Sequence, residues 1–472
     1  MKGRFRAFIA LAVLALALCL GANIYLRADA DSLGFSSELL YGSREAADGV
    51  TVSELAVLEY HLSWDMEFDA LTGETDTDVR WTAEPLRFQG PVDTYLYCTV
   101  AGVRGGFYSK SLPVDAEFYD GIIDDIYQAL ASGLDGHGEV TKRVYLNDLT
   151  EYLPLDFSAS ADLGREGDLF GRIDLSDCFP VLLDWEYPVD AHLEYSEDRA
   201  RLELSVPEGY GCRVSSSSVY AGGDIYMLLT VYGPDGEPLE DALLPGGSWG
   251  VYRIPCGEDD GISRVTADPA RAQLVYPVSG GADGMKLALS GDGSRLLLFT
   301  AEEETLYLNV LSLDGRLTQR LPLIDEDGLS DSYGQDFAEA VGLLESWPGA
   351  DSHVVLVADT AIALTESGGE YAPALTADLA GLPVPERYSG PEWDVFGSIV
   401  QLATDGERIV LLQDGHLYGD GALRPGWQRL SVFGPGGELL CCEWLESGIN
   451  SWNVMDWVAT YPDAGFTAEV TP

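Results

Sequence analysis

Short apolar runs separated by turn-forming residues are the dominant pattern of the chain. In residues 287–316, LALSGDGSRLLLFTAEEETLYLNVLSLDGR, two such runs occupy 295–300 and 305–313. Apolar runs of this length, bounded by glycine and aspartate, are typical of buried β-strands and are too short for helices. Asp-Gly pairs supply the positive φ that tight hairpin turns require. The pattern therefore predicts antiparallel strands joined by short turns.

The same arrangement recurs on both sides of this segment. Two turns, YGPDGEPL at 232–239 and FGPGGELL at 433–440, are nearly identical. Strands are predicted beside the recurring turns at 225–232, 249–254, 353–358, 361–365, 408–412, 428–433 and 438–444. A sheet of such strands has an apolar face that it cannot bury alone, and stacking of consecutive sheets around an axis would bury that face.

One segment resembles a known family of folds. Residues 287–316 resemble a blade of TolB-type and WD-repeat-like β-propellers, because SGDG at 290–293 opens the apolar strands and Asp-Gly at 314–315 closes them. Residues 403–438 resemble such a blade over fewer positions. The resemblance implies an all-β fold, a β-propeller-like array of four-stranded antiparallel sheets. It implies no particular function, since propellers host many unrelated activities.

One inserted helix interrupts the predicted strands. Further strands are expected at 51–67, 78–88, 94–100 and 139–147, whereas the apolar residues of 115–134 recur at helical spacing. We expect these residues to form one face that packs on a sheet: Phe118, Ile122, Ile126 and Leu130. Glycines cluster after the helix, so a boundary near residue 135 is predicted between a β-rich region at 31–135 and a β-propeller-like domain at 136–472.

The N-terminal residues 1–30 predict a transmembrane helix. They combine Lys2, Arg4 and Arg6 with an uncharged apolar stretch at 7–26, and about twenty helical residues span the hydrocarbon core of a bilayer. The positive-inside rule places everything after this segment outside the cytoplasm. The sequence around Ala30 also fits a cleavage site. We therefore expect a cell-membrane protein, single-pass through a signal anchor with its C-terminal ectodomain outside, or a secreted chain if it is cleaved after Ala30.

Charge excludes one large class of partners. The chain has 27 Lys and Arg against 78 Asp and Glu, a formal net charge of −51. Such a surface repels phosphate backbones, so we expect no nucleic acid to bind. The hydrophobic residues, 46% of the chain, are sufficient for a folded core despite this charge.

Motifs for common catalytic chemistry are missing from the sequence. The five histidines form no H-E-x-x-H motif, and no C-x-x-C or phosphate-binding glycine loop occurs. GGSWG at 246–250 matches the G-x-S-x-G pattern of a nucleophile elbow, but Pro245 and the two glycines predict a turn that leads into a strand. We therefore assign no catalytic, cofactor-binding or metal-binding residue and expect no cofactor.

Cysteine and acidic residues leave further possibilities open. Six cysteines beyond Cys19 in an exported chain allow disulfides, whose pairing the sequence does not determine. Cys441 and Cys442 are adjacent in a predicted strand and are expected to point to opposite faces. Acidic loops such as TDTD at 75–78 carry oxygen atoms suited to calcium, although no loop matches the EF-hand pattern.

These observations favour an extracytoplasmic binding or scaffolding protein over an enzyme. The expected partners are the membrane, through the N-terminal helix, and an envelope protein, peptide or glycan ligand at the loops of the array. The alternative is a carbohydrate-active, glycoside hydrolase-like enzyme, which needs two carboxylates about 5–10 Å apart across a sugar. A calcium-dependent adhesin is the third possibility, and calcium would then stabilise its fold.

Overall fold

The computed structural model describes much of the chain after residue 33. The described residues are 21, 34–58, 62–82, 94–100, 106–111, 122–132, 138–161, 172–174, 178–195, 199–239, 243–258, 265–278, 282–329, 337–390, 393–419, 422–423, 426–446 and 465–472. The predicted transmembrane helix at 1–30, apart from residue 21, and the first part of the helix predicted at 115–134 lie outside them. Within these ranges, no helix is long and apolar enough to cross a membrane.

Thirty strands and two α-helices are found among the described residues, so the all-β prediction is confirmed. The first strands are β1 (Ser36–Gly42), β2 (Thr51–Leu58), β3 (Leu62–Asp69), β4 (Glu74–Trp81), β5 (Thr94–Val100), β6 (Gly106–Ser111), β7 (Gly138–Tyr145), β8 (Leu155–Ala161), β9 (Arg172–Asp174) and β10 (Pro188–Tyr195). The next are β11 (Arg199–Ser205), β12 (Arg213–Ala221), β13 (Asp224–Tyr232), β14 (Gly250–Glu258), β15 (Val265–Ala267), β16 (Gln273–Pro277), β17 (Asp283–Leu289), β18 (Arg295–Glu302), β19 (Thr305–Ser312) and β20 (Leu317–Asp325). The last are β21 (Glu345–Pro348), β22 (Ser352–Val357), β23 (Thr360–Ser367), β24 (Glu370–Asp378), β25 (Trp393–Thr404), β26 (Ile409–Gly419), β27 (Ala422–Leu423), β28 (Trp427–Phe433), β29 (Leu439–Glu446) and β30 (Gly465–Thr471).

The chain divides into two compact units. The first consists of Met1–Phe88, Gly328–Asp336 and Leu343–Pro472, and the second of Gln89–Asp327 and Phe337–Gly342. The described strands form three sheets in the first unit and four in the second, and all pairings are antiparallel.

Three sheets make up the first unit. Sheet I has the strand order β30-β2-β3-β4, sheet VI the order β21-β22-β23-β24, and sheet VII the order β1-β29-β28-β26-β25, with β27 beside β26. Strands that are distant in sequence therefore share sheets. Glu54 of β2 lies opposite Ala468 of β30, and Glu38 of β1 lies opposite Trp444 of β29. An apolar layer between sheets I and VII includes Val52, Phe68, Leu412, Leu430, Val432 and Val470.

Four sheets make up the second unit. Sheet II has the strand order β5-β8-β9, sheet III β6-β11-β10-β7, sheet IV β12-β13-β14-β15 with β16 beside β14, and sheet V β17-β18-β19-β20. Helix α1 (Ile122–Ala131) buries Ile122, Ile126 and Leu130 in the apolar core that it shares with sheet III. The predicted packing of these three residues is thus confirmed, and Phe118 lies outside the described residues. The second helix is α2 (Phe337–Gly342).

The boundary predicted near residue 135 falls within sheet III. β6 precedes this residue, β7 follows it, and both strands belong to that sheet. The predicted regions 31–135 and 136–472 therefore differ from the two compact units. A cluster of glycines in the sequence carries no information about which distant strands will pair.

Sheet V contains the segment that resembles a propeller blade. The strands predicted at 295–300 and 305–313 are β18 and β19, at the centre of the four-stranded antiparallel meander β17–β20. This is the strand order of a propeller blade, so the resemblance is confirmed. Sheet VI is a second meander of the same kind, in which β22 and β23 match the strands predicted at 353–358 and 361–365.

The two Asp-Gly turns of sheet V share one hydrogen-bonding pattern. The N–H of Gly293 donates to Ser290 O, and the N–H of Gly315 donates to Ser312 O, each at 2.8 Å. Both glycines have positive φ, 68° and 84°. In each turn the serine hydroxyl also donates to the aspartate two residues later. The hydrogen bond from Ser290, with those from the following backbone and serine, lowers the pKa of Asp292 to about 2.

Gly315→Ala is expected to destabilise the second unit more than Gly236→Ala. Both glycines have positive φ, 84° and 83°, and this backbone conformation disfavours alanine by about 1–2 kcal/mol. A Cβ at Gly315 would also overlap the carbonyl group of Val275 in sheet IV, whereas a Cβ at Gly236 would meet no atom within 4 Å. Urea unfolding should separate the variants by about 1 kcal/mol or more. Equal losses would contradict the close packing of Gly315.

Candidate functional site

An open groove on the second unit combines a concave shape with polar side chains. Its volume is about 480 Å³, within the range of about 300–1,000 Å³ that small-molecule sites occupy. One wall follows β7 and the other precedes β10. The lining residues are Asn147, Asp148, Leu149, Thr150, Glu151, Leu182, Leu183 and Asp184.

Asn147 joins the two walls of this groove. Its Nδ2 donates to Leu183 O at 3.1 Å and to Trp185 O, and its Oδ1 accepts from the N–H of Tyr187 at 2.9 Å. A backbone bond from Leu183 N–H to Glu151 O, at 3.0 Å, adds a second connection. Because the walls are fixed to each other, the groove needs little rearrangement to receive a ligand.

Carboxylates and leucines give the groove its chemical character. Asp148, Glu151 and Asp184 line it, and the described residues of its lining include no lysine or arginine. Leu182 is 47% exposed, although it is a large apolar side chain. Carboxylates without a neighbouring cation attract positive charge, most strongly at low ionic strength. The groove can therefore hold a ligand that carries a cationic group beside an apolar one.

The sequence interpretation did not identify the groove residues. It predicts a strand at 139–147, observed as β7, and assigns no role to the residues that follow. The Asn-Asp pair at 147–148 after an apolar run is a recognisable turn signal. No local pattern connects this turn with Asp184, because β8 and β9 lie between the two walls in the sequence.

The G-x-S-x-G match does not form a nucleophile elbow. Pro245–Gly247 form a 3₁₀ turn and Gly250 begins β14, so a strand follows where the elbow requires a helix. The Oγ of Ser248 donates to the carbonyl of Trp249 at 3.1 Å. The predicted turn is confirmed.

A buried polar cluster lies between sheets I and VII. Glu54 is 1% exposed and Gln428 is 2% exposed, and the Nε2 of Gln428 donates to Glu54 Oε1. Asp414 lies opposite Gln428 in register and accepts from Ser398 Oγ at 3.0 Å. Burial raises the pKa of Glu54 to about 8; the Gln428 hydrogen bond opposes this rise, and the charge of Asp414 adds to it. Sequence reasoning assigned no role to these residues.

Several cysteines of the described residues form no disulfide. They are Cys178, Cys212, Cys256, Cys441 and Cys442. Cys441 packs in the apolar layer between sheets I and VII, whereas Cys442 accepts from Ser431 Oγ at 3.5 Å, outside that layer. Burial raises the pKa of Cys441 to about 12, which disfavours the reactive thiolate. In the part of the chain that the structure describes, no group of three or more His, Cys, Asp or Glu side chains could hold a metal ion.

Comparison with known proteins finds solved structures of low similarity. No protein-family model and no curated protein matches the chain. The periplasmic gluconolactonase of Pseudomonas aeruginosa is 13% identical, with a TM-score of 0.25, covering 84% of this chain and 97% of that chain. TolB from Acinetobacter baumannii is 11% identical, with a TM-score of 0.23, covering 84% and 79%. The Swd1 β-propeller domain of Myceliophteria thermophila is 9% identical, with a TM-score of 0.22, covering 55% and 92%. TM-scores this low support no conclusion about this chain. The blade assignment rests instead on strand order and register.

Proposed function

We propose that the chain is an extracytoplasmic, membrane-anchored binding protein whose ligand occupies the groove between 147–151 and 182–184. The observation that supports this most directly is the pre-formed groove with three carboxylates along its lining. The ligand is a cationic molecule with an apolar part, such as a peptide that contains lysine and leucine. The anchor is the apolar segment at 7–26.

Physical complementarity supports a cationic ligand over an anionic one. Asp148, Glu151 and Asp184 attract an ammonium or guanidinium group. Leu149 and Leu182 offer apolar area to the adjoining part of the ligand. The net charge of −51 raises the local concentration of cations near the whole surface, so the groove must contribute the selectivity.

Binding of a fluorescent lysine–leucine peptide tests this proposal. Asp184→Asn is expected to weaken binding about fivefold at low salt, since one surface charge contributes about 1 kcal/mol at contact distance. The matched control is Asp235→Asn, which removes an exposed aspartate from the turn after β13 in the same unit. The affinity of that control should equal that of the wild type. Equal weakening in both variants would show diffuse attraction by net charge and contradict the groove as the site.

A glycoside hydrolase-like enzyme is the second candidate, and the carboxylates of the groove favour it. Such an enzyme needs one carboxyl group as acid and another as base or nucleophile, about 5–10 Å apart. Asp148, Glu151 and Asp184 lie along one groove and could provide this pair. Glu151→Gln would then abolish turnover of nitrophenyl glycosides while sugar binding persists. Absence of any turnover by the wild type would remove this candidate.

A further inference from the structure

Two buried oxygen atoms of the first unit have no hydrogen-bond partner. They are Oε2 of Glu54 and Oε1 of Gln428. Both atoms belong to side chains that are already joined, because Gln428 Nε2 donates to Glu54 Oε1. A buried polar atom without a partner is destabilising. Two such atoms in one connected pair of side chains point to a missing ligand that both oxygens share.

We propose that Glu54 and Gln428 form a buried proton site, in which Glu54 is protonated on Oε2 and donates that proton to Gln428 Oε1. A protonated carboxyl group has one donor and one acceptor side by side, and a carboxamide has the same pair. One proton therefore supplies the partner that both oxygens lack. The two groups then close a ring with two hydrogen bonds, across the contact between β2 and β28.

The groups around Glu54 favour the neutral acid. Its register partners, Met66 of β3 and Ala468 of β30, are uncharged. Asp414 on β26 faces the pair and adds negative charge, since it lies opposite Gln428. Ser398 on β25 donates to Asp414 Oδ1 at 3.0 Å. A second negative charge on Glu54 would therefore be repelled as well as desolvated.

Two described arginines of the first unit have other partners. Arg429 follows Gln428 in β28 and so lies on the opposite face of sheet VII, where it donates to Gln413 Oε1 at 2.9 Å and to Leu382 O at 3.2 Å. Arg44 forms an ion pair with Glu443 of β29. Neither of these two described arginines therefore pairs with Glu54.

A proton site makes the first unit sensitive to pH. The pKa of Glu54 is about 8 in the folded chain and 4.5 when unperturbed. Between these values the folded state holds one proton more than the unfolded state, so stability falls as pH rises. One extra proton corresponds to a rise of about tenfold per pH unit in the unfolding equilibrium constant.

Urea unfolding of the full chain from about pH 5 to about pH 8, the range between the two pKa values of Glu54, tests the proposal. The unfolding equilibrium constant of the wild type should rise about tenfold per pH unit relative to that of Glu54→Gln. This variant keeps the shape of the side chain and removes the proton. The exchanged variant Glu54→Gln/Gln428→Glu restores an acid–amide pair and should restore the pH dependence. Hydrogen exchange at β2 and β30 should also increase with pH more steeply in the wild type than in Glu54→Gln.

A spectroscopic readout covers the case in which Glu54→Gln does not fold. Infrared difference spectra of the wild type at neutral pH should show the carbonyl band of a buried protonated carboxylic acid. Parallel pH profiles for wild type and Glu54→Gln, or no such band, would overturn the proposal. A shift in the melting temperature of wild type but not of Glu54→Gln when calcium is replaced by chelator would also overturn it, since a metal ion would then be the shared ligand.

Discussion

Arg44→Met is expected to destabilise the first unit by about 3–5 kcal/mol, because it leaves a buried carboxylate without its cation. The side chain of Glu443 is 0% exposed and forms an ion pair with Arg44, which is 29% exposed. Arg44 also donates to Ser37 Oγ at 2.9 Å and to Thr72 O at 3.3 Å. It therefore ties β1 and the turn between β3 and β4 to β29.

The loss of stability in Arg44→Met should be larger at higher pH. Burial already raises the pKa of Glu443, and Arg44 opposes that rise. Without Arg44 the folded chain retains a proton on Glu443 to higher pH, so stability is kept at low pH and lost as pH rises. Urea unfolding at pH 5 and pH 8, values chosen on either side of neutrality, should show the larger loss at the higher pH.

Two further variants separate this ion pair from a general charge effect. Arg80→Met breaks an exposed pair, in which Arg80 is 61% and Asp78 53% exposed, and should cause no measurable loss. Arg44→Met/Glu443→Leu removes both charges and should recover part of the stability, because no buried charge remains. If Arg44→Met were no less stable than Arg80→Met, the buried pair would have no structural role.

Local patterns were sufficient to predict many strands of this fold. The strand predicted at 428–433 is β28 (Trp427–Phe433), and the apolar run at 225–232 is β13 (Asp224–Tyr232). Both are buried along their whole length, and β28 is so although it contains Gln428, Arg429 and Ser431. The interpretation of 51–67 as one strand was wrong, since this range contains β2 and β3. Neither glycine nor proline lies between these two strands in the sequence, and the alternation of apolar residues continues from one strand into the other.

Non-local contacts explain what the sequence interpretation missed. The pairings of β30 with β2 and of β1 with β29 join residues hundreds of positions apart, so no local pattern encodes them. Glu54 had a usable signal, because it alternates with Val52 and Ala56 on the buried face of β2. An acidic residue in phase with apolar ones indicates a buried carboxyl group. Its partner Gln428 could not be inferred, because it lies on a different sheet.

Val470→Asp should destabilise the first unit by about 3 kcal/mol or more, because it places an unpaired charge in an apolar layer. Val470 is 3% exposed, lies opposite Val52 in register, and donates its N–H to Gln401 Oε1 at 2.5 Å. Its packing therefore holds β30 in sheet I and against β25.

The neighbouring residue provides a matched control for that strand. Glu469 is exposed and points away from the apolar layer, so Glu469→Asn should leave stability within about 0.5 kcal/mol of the wild type. Hydrogen exchange should show faster exchange of β2 amides in Val470→Asp but not in Glu469→Asn, since β2 becomes an edge strand when β30 detaches. Equal exchange in both variants would show that β2 does not depend on β30. Sheet I would then be stable with β2, β3 and β4 alone, although a distant strand completes it.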